Sequence, residues 1–106
     1  CIAAGNESSN ASFSYPGCIE GSQFIVTVAA INCNQTCASY SNFGPGADFY
    51  AVGTNVYSCT LNGKNGSGTG TSFAAPVVSG ILLLRGYPVS GSKILCKEWT
   101  KPIALR

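Results

Sequence analysis

Apolar and polar residues fall into blocks along this chain. Phe24–Ala30 is a continuous apolar run carrying Val, Ile and Thr, as in a parallel strand buried on both faces. Cys1–Ala4 and Phe49–Val52 are shorter runs that also read as strands. Val56–Leu61 reads as another, in a hairpin turning at Asn62-Gly63, a dipeptide suited to tight hairpin turns. Gly5–Gly17 is a loop rich in Ser, Asn and Gly, and Asn32–Gly46 is a polar loop closed by Gly44-Pro45-Gly46. Gly63–Thr71 is a flexible, glycine-rich segment. Ser72–Arg85 predicts a helix stopped by Gly86 and Pro88. Ser92–Trp99 reads as a second short helix, and Lys97–Arg106 as either a surface anchor or a frayed tail, with the tail favoured. Buried strands alternating with a helix favour an α/β fold with a parallel sheet. No internal repeat and no domain boundary is visible.

The chemistry concentrates in Gly70-Thr71-Ser72-Phe73-Ala74-Ala75-Pro76-Val77-Val78-Ser79-Gly80. Ser72 stands between a glycine-rich run and an apolar helix start. One hydroxyl is thereby placed at a helix N-terminus, where free backbone N–H groups and the helix dipole favour negative charge. Acyl transfer needs such a place, because an alkoxide and then an oxyanion form there. The bland alternative for Ser72 is a plain helix N-cap. Pro76, four residues beyond Ser72, is tolerated if it falls in the first turn. At the other end of the sequence, Cys1-Ile2-Ala3-Ala4-Gly5-Asn6-Glu7 is an apolar run ending in Gly-Asn, which taken alone is a turn signal.

Together these segments resemble the subtilisin-like serine proteases, in that family's order. The first is similar to its nucleophile motif, with Phe73 at the usual Met and Val77 at a usual, non-catalytic His. Tyr15-Pro16-Gly17 followed by Phe24–Ala30, Ser39-Tyr40-Ser41-Asn42-Phe43-Gly44, and Asp48-Phe49-Tyr50-Ala51-Val52-Gly53 resemble further family motifs. Val52 stands where Pro is usual. The resemblance is strongest over residues 1–86 and fades beyond them. It implies a fragment of a subtilisin-like parallel-sheet sandwich with helices on both faces. It also implies that Ser72 attacks the scissile carbonyl, while the Ser72 N–H and the Asn6 carboxamide hold the oxyanion. Ala3, Ala4 and Gly5 would line the substrate pocket, with Ser14 at a pocket-base position. Asp48 would mark a structural calcium site, although a solvated or capping Asp is the slightly stronger reading. No cofactor is required for the chemistry. The family turn implies a cis Tyr15–Pro16 bond, against the general preference of X-Pro bonds for trans.

The sequence has no histidine, and a Ser-His-Asp triad needs an imidazole to take the serine proton. In the family the Asp and His precede the oxyanion Asn. Residues 1–106 therefore read as the later half of a catalytic domain, inactive alone and completed by a complementary chain that supplies Asp and His. That chain and a peptide or protein substrate are the expected partners. At 45% hydrophobic and 9% charged, the sequence suits a piece of a larger globular body. Without the complement it should aggregate or stay partly unfolded.

A net charge of +2 without a basic run gives no reason to expect nucleic acid. The run Ile81–Leu84 falls far short of the ~20 residues that span a bilayer. Six cysteines, Cys1, Cys18, Cys33, Cys37, Cys59 and Cys96, point to an oxidising compartment. A Cys33–Cys37 link closing a tight loop is plausible, as is a disulfide to the complementary half. Zinc is a weak alternative, because no His and no second close cysteine pair complete a set. Asn6, Asn10, Asn34 and Asn65 head four Asn-x-Ser/Thr sequons, which favour secretion with glycans at Asn10, Asn34 and Asn65. Asn6 should stay bare if it faces an oxyanion. A reading of another class stays open: a non-catalytic, cysteine-rich secreted module, toxin- or effector-like, on a protease-derived scaffold with three internal disulfides.

Overall fold

The computed structural model describes residues 1–105. Its strands are β1 (Ile2–Ala3), β2 (Thr27–Ile31), β3 (Phe49–Val52), β4 (Val56–Cys59), β5 (Asn65–Gly68), β6 (Val89–Cys96) and β7 (Trp99–Leu105). The helix α1 spans Thr71–Arg85. A five-stranded sheet runs in the order β1-β2-β3-β7-β6. Its first four strands pair in parallel, and β6 pairs antiparallel with β7 along the edge. Strands β4 and β5 form a separate antiparallel hairpin. The fold is thus mixed α/β with a parallel sheet, as expected.

Strand β2 is buried at every position, because both of its faces are covered. On one face Val28, Ala30, Phe49 and Ala51 pack with Ala74, Val78 and Ile81 of α1. Burying a side chain such as Val78, which is wholly inaccessible, stabilises by roughly 1.5–3 kcal/mol. On the other face Ala29, Ile31 and Tyr50 pack with Ala4, Ala11, Ala47 and Cys96. Loops supply much of that cover, and α1 is the one α-helix among the described residues. The Tyr15–Pro16 peptide is cis.

Several expectations are corrected. The apolar run at Phe24 joins the sheet only from Thr27; Phe24 itself is 87% exposed. The glycine-rich segment before α1 contains β5, which pairs with β4 from Cys59↔Asn65 to Val56↔Gly68. The short helix expected at Ser92–Trp99 is instead the end of β6 and the start of β7. The expected tail is largely strand β7, with Tyr50↔Ile103 in register across β3; Arg106 lies outside the described residues. A pattern of apolar residues cannot separate a short helix from a strand when the sheet edge that recruits it lies far away in sequence.

The cysteine pairing also differs. Cys37 is joined to Cys96 across a sequence separation of 59, and Cys33 is exposed with a free thiol. Cys33 sits in the turn where Gln35 N–H bonds the Asn32 carbonyl. Cys37 instead bridges to Ile31 at the end of β2, beside the buried Cys96. The Lys101 ammonium adds a hydrogen bond of 3.1 Å to the Pro45 carbonyl.

Candidate active site

The chain leaves the sheet after Ala4, whose N–H still donates to the Val28 carbonyl at 2.9 Å. Gly5 then takes φ of +105°, which only glycine adopts without strain, and the chain turns towards the start of α1. The Asn6 Oδ1 accepts from the Thr71 N–H at 2.9 Å and from the Thr71 hydroxyl at 3.1 Å. A backbone N–H can only donate, so the carboxamide oxygen must face Thr71 and the Nδ2 group must point away. Thr71 Oγ1 also accepts from the Gly5 N–H at 3.2 Å. Thr71 is fully buried. Two segments 65 residues apart are thus fastened through one hydroxyl and one carboxamide.

Ser72 is the second residue of α1. The N-cap is Gly70, with φ 151° and ψ 163° and no side-chain cap, which corrects the plain N-cap reading of Ser72. Asn6 performs that duty from a distance by taking the Thr71 N–H. The Ser72 N–H is among the four amides that a helix start leaves without an intrahelical acceptor. No acidic side chain occupies the first turn, so the positive end of the helix dipole is uncompensated there. Pro76 is the sixth residue of α1, one residue further in than a helix starting at Ser72 implies and past the first turn. Lacking an N–H, it cannot bond the Ser72 carbonyl four residues back. Ser72 is exposed, and the Phe73 ring packs against Gly68 of β5.

An exposed hydroxyl, a helix-start amide without an intrahelical acceptor and a carboxamide oriented by Thr71 are thereby set at neighbouring points of the fold. These are the group types that acyl transfer uses as nucleophile and oxyanion donors once a base is supplied.

Ala3 and Ala4 face opposite sides of the sheet: Ala3 contacts the helix-side core, and Ala4 is fully buried in the other. Ala4 can line a pocket only through its backbone. Ser14 Oγ accepts from the Asn42 Nδ2 at 3.1 Å, which draws it to the same loop cluster as Asn6. Asn10 is half-buried, with its Oδ1 accepting from the Ser12 N–H at 2.9 Å. Asn34 and Asn65 are exposed.

Asp48 lies elsewhere, at the amino end of β3. Its N–H donates to the Thr27 carbonyl and its Oδ2 accepts from the Thr27 N–H, both at 2.8 Å. Burial pushes its carboxyl above the usual range, opposed by that N–H and by the Lys101 charge. Among the described residues no three His, Cys, Asp or Glu side chains gather to hold a metal. An oxygen engaged by the strand, with an ammonium in its field, suits a backbone clamp, the capping reading of Asp48.

Two residues of the site carry no mark in the sequence taken position by position. Thr71 lies inside the nucleophile motif, yet only the fold reveals that it anchors Asn6. Asn42 lies inside Ser39–Gly44, yet nothing local marks it as the buried hub of the Asn6 loop.

A profile of the Subtilase family matches residues 1–88. The chain is 31% identical over 105 residues to Subtilisin-like protease 5 of Trichophyton tonsurans, covering 95% of this chain and 26% of that protein. It is 42% identical over 81 residues to Halolysin of Haloferax mediterranei, covering 76% of this chain and 15% of that protein. Among solved structures, it aligns at a TM-score of 0.72 and 32% identity with a cold adapted subtilisin-like serine proteinase, over 77% of this chain and 29% of that one. It therefore spans about a quarter or less of the length of these curated relatives. With the match running through both Asn6 and Ser72, this chain belongs to the subtilase family.

Proposed function

We propose that this chain is the nucleophile- and oxyanion-bearing part of a secreted subtilisin-like serine endopeptidase, which cleaves peptide bonds through an acyl-enzyme. The observation that carries the reading is the Asn6–Thr71 fastening, which sets a carboxamide donor next to the residue preceding Ser72. Ser72 Oγ attacks the scissile carbonyl, and the carbonyl oxygen becomes an oxyanion between the Ser72 N–H and Asn6 Nδ2. The acyl-enzyme forms as the leaving amine takes a proton. Deacylation by water returns the hydroxyl.

A base must accept the serine proton, and this sequence has no histidine. The base and its orienting Asp come from a complementary segment, without which the chain is inactive. Exposed Phe13, Tyr15, Phe24 and Leu83, each more than 80% accessible, support the presence of such a partner. Burying such large apolar side chains against a partner is favourable. Passage through a glycosylating, oxidising pathway is supported by the disulfide and by exposed sequon residues Asn34 and Asn65. The non-catalytic module would carry three internal disulfides; one is formed, and Cys1, Cys18, Cys33 and Cys59 are free.

A fluorophosphonate probe applied to native material tests the reading. Labelling of Ser72 that requires the complementary segment, and that is lost in Ser72→Ala, is the expected result. Absence of labelling in the assembled protein refutes it.

A further inference from the structure

Asn42 is fully buried, and its carboxamide is saturated by the loop that carries Asn6. Its Oδ1 accepts from the N–H groups of Glu7 and Ser9, each at 3.0 Å. Its Nδ2, with two hydrogens, lies 2.9 Å from the Ala4 carbonyl, 2.7 Å from the Glu7 carboxylate and 3.1 Å from Ser14 Oγ, so one of its hydrogens is shared between two acceptors. Its backbone N–H donates to the Gly5 carbonyl at 2.9 Å. The residues immediately before and after Asn6 are therefore both held by Asn42. A Cβ on Gly5 would collide with the Asn42 carboxamide, so the approach permits no other residue there.

The hub is itself rigidly mounted. Ser41 Oγ accepts from the Ala30 N–H at 2.8 Å in the middle of β2 and donates to the Asn42 carbonyl at 2.9 Å. The Ala38 N–H donates to the Ala30 carbonyl at 3.2 Å. A continuous line of hydrogen bonds thus runs from β2 through Ser41 and Asn42 to the backbone on either side of Asn6.

We propose that Asn42 is the positioning residue for the oxyanion donor, its carboxamide holding the Asn6 loop through the Ala4 carbonyl on one side and the Glu7 amide on the other. This rests on the reading of Asn6 as that donor. Thr71 orients the Asn6 side chain, whereas Asn42 sets where its backbone lies. Both are needed, because a displacement of about 1 Å at such a site costs on the order of a hundredfold in rate.

The test uses the assembled protein with its complementary segment and a chromogenic peptide. Asn42→Ala, Asn6→Ala and the double variant are compared for kcat, KM and Tm. The expected result is a kcat lowered about a hundredfold by Asn42→Ala at nearly unchanged KM, with the double variant no slower than Asn6→Ala alone. A kcat unchanged in Asn42→Ala, or losses that multiply in the double variant, overturns the proposal.

Asn42→Asp keeps the shape and both bonds from Glu7 and Ser9. It sets a carboxylate against the Ala4 carbonyl and the Glu7 carboxylate. Its kcat relative to the unsubstituted protein should recover as pH falls and the new carboxyl protonates; a pH-independent ratio counts against the proposal. If Asn6→Ala matches the unsubstituted protein while Ser72 still labels, the assignment of Asn6 fails and takes this inference with it. An impaired Asn6→Ala with an unaffected Asn42→Ala sinks the inference alone.

Discussion

Replacing both Cys37 and Cys96 by Ala should cost about 4 kcal/mol. The bond spans 59 residues, and cross-linking a loop of that length removes about 4 kcal/mol of chain entropy from the unfolded state. Folded-state terms bear on the same place. Cys96 is fully buried among Ile94, Ile103 and Tyr50, so its truncation also empties part of that cluster. The β6–β7 hairpin reaches the rest of the sheet through β7 against β3, with Tyr50↔Ile103 in register. The bond at Cys96 is therefore a main tether of residues that lie past the family match, which ends at residue 88. Trp99, the sole tryptophan, pairs across the hairpin from Cys96 and reports on it by fluorescence. Urea unfolding of the assembled protein should show the midpoint falling by roughly 2 M, for an m-value near 2 kcal/mol/M. A midpoint shifted by less than about 0.3 M would mean that strand pairing alone holds the hairpin, and would refute the stabilisation assigned to loop entropy.

Two further outcomes stem from buried polar groups. The Tyr50 hydroxyl is buried without a partner, and burial pushes its pKa from 10.0 up to about 12. The fold favours the neutral phenol, so its stabilising contribution is complete below pH 10 and is lost as pH rises towards 12. Tyr50→Phe should flatten that alkaline limb in a pH series of Tm, and should leave stability at pH 7 unchanged or raised by up to about 1 kcal/mol; a large loss at pH 7 would reveal an unseen partner. Asp48 has a raised pKa from burial, so its contribution is greatest below its ordinary value of 3.8 and declines as pH rises through the raised one. Asp48→Asn should therefore hold or raise Tm at pH 7, and added calcium should not change Tm; a calcium-dependent rise that Asp48→Asn abolishes would restore a cation site.

The legible parts of the sequence were those whose local pattern and tertiary setting agree. Phe49–Val52 was bounded correctly because its apolar residues meet cover on both faces. The helix was bounded to within one residue because Gly86 stops it, with φ of +85° and its N–H on the Leu82 carbonyl. The helix and tail expected over residues 92–105 give way to strands for an identifiable reason. Their hairpin turns with Lys97 at φ of +56°, where the usual Asn-Gly or Asp-Gly signal is absent. Phe24 misled in the opposite sense, since an apolar residue joins a strand only where a neighbouring strand exists to pair with it.

What residues 1–106 determined by themselves was a set of chemical types in order: a carboxamide after a small-residue strand, a hydroxyl before an apolar helix, and no imidazole anywhere. Tertiary structure alone decided which groups meet. Cys37 chose Cys96 over Cys33, Asp48 clamped Thr27, and Asn42 took hold of the Asn6 loop from 36 positions away. Sequence patterns record burial and local backbone preference, which act over a few residues. Hydrogen bonds and disulfides between distant segments exist only once the sheet has brought their partners within about 3 Å for the former and bonding distance for the latter.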